Sequence, residues 1–321
     1  MRAPPSASLC DTALVSQKPR AWWIVAGIAA ICGVSVWGVV WYRSRSLTTA
    51  ALLRRMPAEN ALVAYIDFSQ LRRGGILQLL DGSKAGEDPE YQSFVRHTRF
   101  DYKQDLDAAL VAFGPTGRFL FVKGRFDWKS LRAYVESQDG KCVNSFCRMT
   151  GSAPERRISF FPVRSNLMAL AVSPDDWAAL RLNSAASGPE PQVPAAPVWF
   201  SIPTSVLKSS DSLPDGTRMF ARGMERAETV TLAFAPEGQG LAARLEVRCR
   251  NQQDAADMAS QLTRTTSLLR EIMEREHRKP DPADLSGVLT SGAFRNEGQR
   301  VLGYWPIERA FVQNVLGGSA P

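Results

Sequence analysis

Two stretches, Ala112-Phe113-Gly114-Pro115-Thr116-Gly117 and Ala233-Phe234-Ala235-Pro236-Glu237-Gly238, share the pattern Ala-Phe-small-Pro-x-Gly at a distance of 121 positions. Pro and Gly at such spacings make tight turns, Pro by fixing φ and Gly by tolerating positive φ. Apolar runs flank each stretch, 110–113 and 119–122 in the first, 230–234 and 241–249 in the second, so each reads as a β-hairpin. A polar N-cap follows each hairpin: Asp127 opens a helix ending near Ser137, and Asn251 opens a longer one over 252–276. The closing units correspond as well. Leu170-Ala171-Val172-Ser173-Pro174 and Leu302-Gly303-Tyr304-Trp305-Pro306 each lead into a short helix, now 132 positions apart. The larger offset requires an insertion. The longer helix supplies it, with Met258, Leu262, Leu269 and Ile272 at helical spacing, until Pro280 and Pro282 stop it. Two matches in one order of elements predict an internal duplication.

Outward from these anchors, 62–68 (LVAYIDF) reads as a strand and 69–80 as a helix, with 81–104 polar and loop-like. Further strands are expected at 143–149, 158–163, 167–172 and 198–202, with Ser173-Pro174 starting a helix. Residues 184–197 (SAASGPEPQVPAAP) carry four prolines and almost no bulky apolar group, the composition of a linker. The expected fold class is α+β. Two similar domains, 56–183 and 198–317, each form an antiparallel sheet with helices packed on one face, followed by a tail at 318–321. A chain of 321 residues, 45% apolar and 22% charged, has room for both, and its composition excludes a coiled-coil or wholly disordered class.

The N-terminal region has a different character. After a tail at 1–20, Ala21 and Tyr42 bound an uncharged run of 22 residues, AWWIVAGIAAICGVSVWGVVWY. As a helix it is roughly 33 Å long, enough for a hydrocarbon core of about 30 Å. Trp22 and Trp23 at one end, and Trp37, Trp41 and Tyr42 towards the other, resemble interfacial aromatic belts. The run is too long for a cleaved signal and ends in Val40-Trp41-Tyr42-Arg43, a poor cleavage site, so it reads as an uncleaved signal anchor contacting the lipid bilayer. A lone anchor ahead of a large domain places that domain outside the cytoplasm, on the periplasmic side of the cell membrane. The net charge of +7 belongs largely to the flanks of this segment. Residues 1–55, including a basic stalk at 43–55, hold seven basic groups against one acidic, leaving 32 basic and 31 acidic beyond. Clustered, uncompensated cations of the kind phosphates require are missing, so nucleic acid is not an expected partner.

Met56-Pro57-Ala58-Glu59-Asn60-Ala61-Leu62-Val63 follows the anchor and stalk. This Pro-x-x-x-Ala-hydrophobic opening resembles the ectodomain start of bacterial single-pass membrane-anchored proteins of unknown function. The resemblance covers under a tenth of the chain and implies no chemistry.

The residues that carry chemistry are sparse. Cys142 and Cys147 flank Asn144-Ser145, a natural turn centre. They read either as a hairpin disulfide, which implies an oxidising compartment, or as two buried thiols. Cys249 ends an apolar strand as a packed thiol. Ser205-Val206-Leu207-Lys208 fits the Ser-x-x-Lys pattern of penicillin-recognising enzymes but lacks the Ser-Asp-Asn and Lys-Thr-Gly elements that go with it. Asp101, Asp105 and Asp107 fail calcium-loop spacing, with Lys103 between them. Asp175 and Asp176 suit a helix N-terminus, and Asp67 faces solvent between inward Ile66 and Phe68. His97 and His277, the only histidines, sit among charges without spaced partners. No catalytic, cofactor or metal residue is therefore assigned. The expected role is non-catalytic binding, scaffolding or assembly with a protein partner in the envelope. The alternatives are an envelope hydrolase with a site of scattered polar residues, or a membrane sensor whose span packs through Gly27, Ala30 and Gly38.

Overall fold

The computed structural model describes residues 47–76, 89–151, 153, 155–184, 188–208, 215–238 and 240–316. The expected span at 21–42 lies outside them. Among the described residues no helix is long and apolar enough to cross a membrane.

The chain is an α+β protein built on one antiparallel sheet of twelve strands. Its first half holds α1 (Thr49–Leu53), β1 (Leu62–Ile66), α2 (Phe68–Arg73), α3 (Pro89–Thr98), α4 (Tyr102–Asp105), β2 (Leu106–Gly114) and β3 (Gly117–Gly124). It continues with α5 (Trp128–Ser137), β4 (Lys141–Val143), β5 (Phe146–Thr150), β6 (Arg157–Arg164), β7 (Leu167–Ser173) and a 3-10 turn (Ala178–Asn183). The second half holds β8 (Val198–Ile202), α6 (Thr204–Lys208), α7 (Asp215–Gly223), β9 (Thr229–Glu237) and β10 (Gly240–Arg248). It ends with α8 (Gln252–Arg275), α9 (Leu285–Thr290), β11 (Ala293–Glu297), β12 (Arg300–Ile307) and α10 (Arg309–Leu316).

The spatial order is β11-β12-β10-β9-β8-β1-β2-β3-β7-β6-β5-β4. From the central β8–β1 pair, the order reads β1-β2-β3-β7-β6 on one side and β8-β9-β10-β12-β11 on the other. In each half a capped helix follows the second hairpin strand. Strands β1 and β8 pair antiparallel, with Tyr65 opposite Trp199, and Asp67 N donates to Pro197 O at 2.6 Å. The two halves expected on either side of a flexible linker thus share one sheet. Paired strand edges leave no free linkage there, because β1 and β8 satisfy each other's backbone groups.

Several expectations change in detail. The matched Ala-Phe-small-Pro-x-Gly motifs are two residues out of structural phase: the first loop lies between Gly114 and Gly117, the second between Glu237 and Gly240. Pro236 therefore sits in a strand, which it can do because β8 pairs only with 230–234 and leaves its nitrogen side unpaired. Pro306 likewise lies within β12, beyond the reach of β11, rather than opening a helix. Asp67 is not a strand residue. Its carboxylate accepts from Gln70 N and Ser69 Oγ, both at 2.7 Å, and caps α2. The region read as a loop contains α3 and α4.

Register fixes the two faces of the first half. Leu110, Ala112, Phe119, Phe121, Ala169 and Ala171 face one side, all at most 2% exposed. They are covered there by the 3-10 turn, whose Ala178, Ala179 and Leu182 are fully buried and whose Ala179 N donates to Ser159 Oγ at 3.2 Å. The opposite side, with Val122, Phe160 and Met168, lies under α5. Cover on both faces corrects the expectation of helices on one face only: the small side chains of Ser159, Ala169 and Ala171 admit close approach by the alanine-rich turn.

Candidate functional site

The space under α5 is the site. Asp127 accepts from Lys129 N and Ser130 N at 3.1 Å and from Ser130 Oγ at 2.8 Å, fixing where α5 begins. Its carboxyl is held below the ordinary carboxylate range, first by the Ser130 hydroxyl and then by the two amides and Arg99, against a slight opposing effect of desolvation. The helix turns Leu131 and Val135 onto the sheet, where they meet Cys147, Phe160 and Met168. Ten residues of helix do not fill this face. A cavity of about 300 Å³ remains. The sheet contributes Val122, Met149, Ile158, Phe160, Met168 and Leu170, α5 contributes Leu131, Tyr134 and Val135, and Phe94, Phe100 and Phe126 complete the wall.

Among these twelve side chains, Tyr134 alone carries a polar group. It is half-buried, its ring meets Phe94 edge-on at 5.3 Å and the exposed His97 at 6.1 Å, and its hydroxyl makes no hydrogen bond among the described residues. His97 Nδ1 donates to Ser93 O at 2.7 Å, which orients the ring.

Helix α3 closes the cavity and is pinned at both ends. Tyr91 OH donates to Asp101 Oδ1 at 2.8 Å and accepts from Tyr102 N at 3.2 Å. Burial, then the Asp101 carboxylate, push the Tyr91 phenol well above its ordinary value, so it stays a donor. Thr98, fully buried, donates to Phe94 O at 2.8 Å and accepts from Phe100 N at 3.3 Å. Phe100 then stacks on Phe126 at 5.2 Å.

Leu131, Val135, Phe160 and Met168 form the cavity's buried floor, while the other eight lining residues are partly exposed, so the space opens to solvent on one side. Leaving such an apolar wall in contact with water is unfavourable at about 25 cal/mol per Å² of apolar surface. A space twice the ~150 Å³ that takes benzene in an engineered protein is large enough for an organic guest. In the second half Met258, Leu262, Phe220 and Trp305 pack in one buried cluster with Leu245 and Val301.

The residues singled out from sequence lie elsewhere. Cys142 and Cys147 face each other across β4–β5 and are joined as a disulfide, the hairpin carrying Cys147 into the cavity's core cluster. Ser205 is exposed on the five-residue α6. Asp101 caps α4, Asp105 pairs with Arg125 at 2.9 Å, and among the described residues no cluster of ligating side chains forms. Asp175 and Asp176 pair with Arg181 at 2.8 Å and with Arg157 at 3.2 Å. His277 ends α8 in the left-handed region. Cys249 is buried, its thiol pushed up by desolvation, Asp254 and Glu228. Sequence reasoning missed Phe94, Phe100, Phe126 and Tyr134. The available signal was Tyr91, Phe94 and Thr98 at i, i+3 and i+7 within a polar stretch.

No protein-family model matches the chain, and no curated protein matches it. Solved structures do. The structure of crystal form I of TP0453 is similar with a TM-score of 0.48 at 13% identity, covering 85% of this chain and 100% of that one. The structure of crystal form III of TP0453 gives 0.47 at 9% identity, covering 83% and 97%.

Proposed function

We propose that the chain is a single-pass protein of the cell envelope, anchored in the bilayer by residues 21–42. Its duplicated modules face away from the cytoplasm, and the first of them is a non-catalytic binding module for an apolar ligand. The cavity of about 300 Å³ under α5, with one polar group in its wall, carries the reading. The Cys142–Cys147 disulfide favours an oxidising compartment. The repeated strand order on either side of the β1–β8 pair favours duplication. The resemblance of 56–63 to membrane-anchored bacterial proteins agrees with the anchor.

Two measurements test the parts. A reporter active only outside the cytoplasm, fused after Pro321, is expected to be active; activity of a cytoplasm-only reporter instead overturns the orientation. For the cavity, benzene is titrated calorimetrically into the full chain, kept in solution by a fluorinated surfactant that does not mix with hydrocarbon. Saturable uptake of one benzene or more per chain, weakened in Val122→Phe and Leu170→Phe, is expected. Absence of saturable uptake overturns the ligand-binding reading.

A further inference from the structure

We infer that the occupant of the cavity is one unbranched aliphatic chain of about ten carbon atoms, with its polar head at Tyr134. The inference rests on the apolar-ligand reading above and adds the ligand's shape and polarity.

Shape follows from the sheet. The wall crosses four adjacent strands, from Val122 on β3 through β7 and β6 to Met149 on β5. Three strand spacings of about 4.8 Å make this roughly 14 Å. Spread over that length, 300 Å³ leaves a mean cross-section of about 20 Å². Carbon atoms meet at about 3.5–4.0 Å, so a passage of that section takes one hydrocarbon chain. Two chains side by side, or a polycyclic body laid across, exceed it. At about 30 Å³ for each water-sized group the volume holds roughly ten methylene groups.

Polarity follows from the wall. It contains no carboxylate, ammonium, guanidinium or imidazole, so an ionised or hydrogen-bonding group inside would lose its hydration without replacement. A head group has one place to go. Tyr134 is half-buried, has a hydroxyl with no hydrogen bond among the described residues, and stands beside exposed His97. Its phenol donates to a carboxylate or accepts from an alcohol. A free fatty acid and a single-chain lipid share this chemistry.

The test titrates the full chain in the same surfactant with n-alkanoic acids of six to sixteen carbons, n-decanol, a ten-carbon lysophospholipid and adamantane-1-carboxylate. Affinity is expected to rise about fourfold per added methylene, then to level off near ten carbons. Adamantane-1-carboxylate is expected to bind at least about a hundredfold more weakly than decanoate. Val122→Phe, or Leu170→Phe if the first fails to fold, is expected to move the plateau to shorter chains. Tyr134→Phe is expected to weaken decanoate and decanol by about two- to tenfold while benzene uptake stays unchanged. Tighter binding of decanoate names a free acid as the source, and tighter binding of the lysophospholipid names a lipid; either supports the chain. Affinity independent of chain length, or adamantane-1-carboxylate binding as tightly as decanoate, overturns the linear occupant even where benzene still binds. An unchanged affinity in Tyr134→Phe overturns the placement of the head. Loss of benzene binding together with all chains overturns the site itself.

Discussion

Replacing Val122 by Phe tests the cavity by the sign of a stability change. Val122 lies on β3 with its side chain in the wall under α5. The larger ring adds roughly 50 Å³ to that space, and at about 24 cal/mol per Å³ of cavity removed it recovers about 1.2 kcal/mol. Filling a packed core does the opposite, costing typically about 1–3 kcal/mol through off-rotamer side chains and backbone shifts. The two cases therefore differ by about 2–4 kcal/mol in opposite directions. For a unit of this size each kcal/mol moves the midpoint by about 2–4 °C, so Val122→Phe is expected to raise Tm by about 2–5 °C. The assay is thermal unfolding of the full chain in fluorinated surfactant, after extraction of bound apolar material. Extraction matters, because a retained ligand adds its own binding free energy to the wild type alone. A fall in Tm for the stripped protein refutes the reasoning, since it means that Phe94, Tyr134 and their neighbours already close the space.

Three further outcomes follow from other parts of the molecule. Trp199, 1% exposed and stacked on Tyr65 at 5.7 Å, closes the β1–β8 seam; Trp199→Ala is expected to cost about 3–5 kcal/mol and to split one urea transition into two, read by circular dichroism. Reducing the Cys142–Cys147 bond opens a loop of a few residues, expected to cost about 2 kcal/mol, with faster hydrogen exchange confined to β4 and β5. Asp127 has its carboxyl pKa lowered on folding, so its contribution is present above the unfolded value of 3.8 and is lost as pH falls through the folded value. Urea unfolding from about pH 6 down to about pH 2 is therefore expected to show wild type losing its advantage over Asp127→Asn.

Legibility in the sequence tracked how local the determining physics is. The helix after Asp127 and the strand at 198–202 were readable almost to the residue, because an N-cap carboxylate and a Pro-delimited apolar run act over three or four positions. Asp67 misled, since the same capping chemistry sat at the end of a β-branched run and stopped the strand early. Strand β11 (AFRNE) escaped notice because it is a mostly exposed edge whose charged residues guard against pairing. Helix α3 was diluted by polar residues on its outer face. The cavity was harder still. Its twelve side chains come from β3, β5, β6, β7, α5 and the stretch around α3, and each taken alone looks like an ordinary core residue. What makes them a site is the volume they leave unfilled, and volume is a property of the assembled sheet.

The helices that cover the two halves of the sheet differ in length. In the second half, α8 runs for 24 residues against ten in α5, and its buried Met258, Ala259, Leu262 and Thr266 extend across the sheet to meet Val247 and Val301. Phe220 and Phe294 then each meet Trp305 edge to face beside it, with ring centroids 6.0 and 5.1 Å apart. The longer helix thus spreads its buried side chains over more of the sheet than the shorter one does. One well-packed half can support the other, because the β1–β8 pairing couples them into a single sheet. The filled half can support a neighbour whose core is incomplete until a ligand enters it. If the ligand-binding reading proposed above holds, the stability of the first half is expected to rise with occupancy, read as a ligand-dependent Tm.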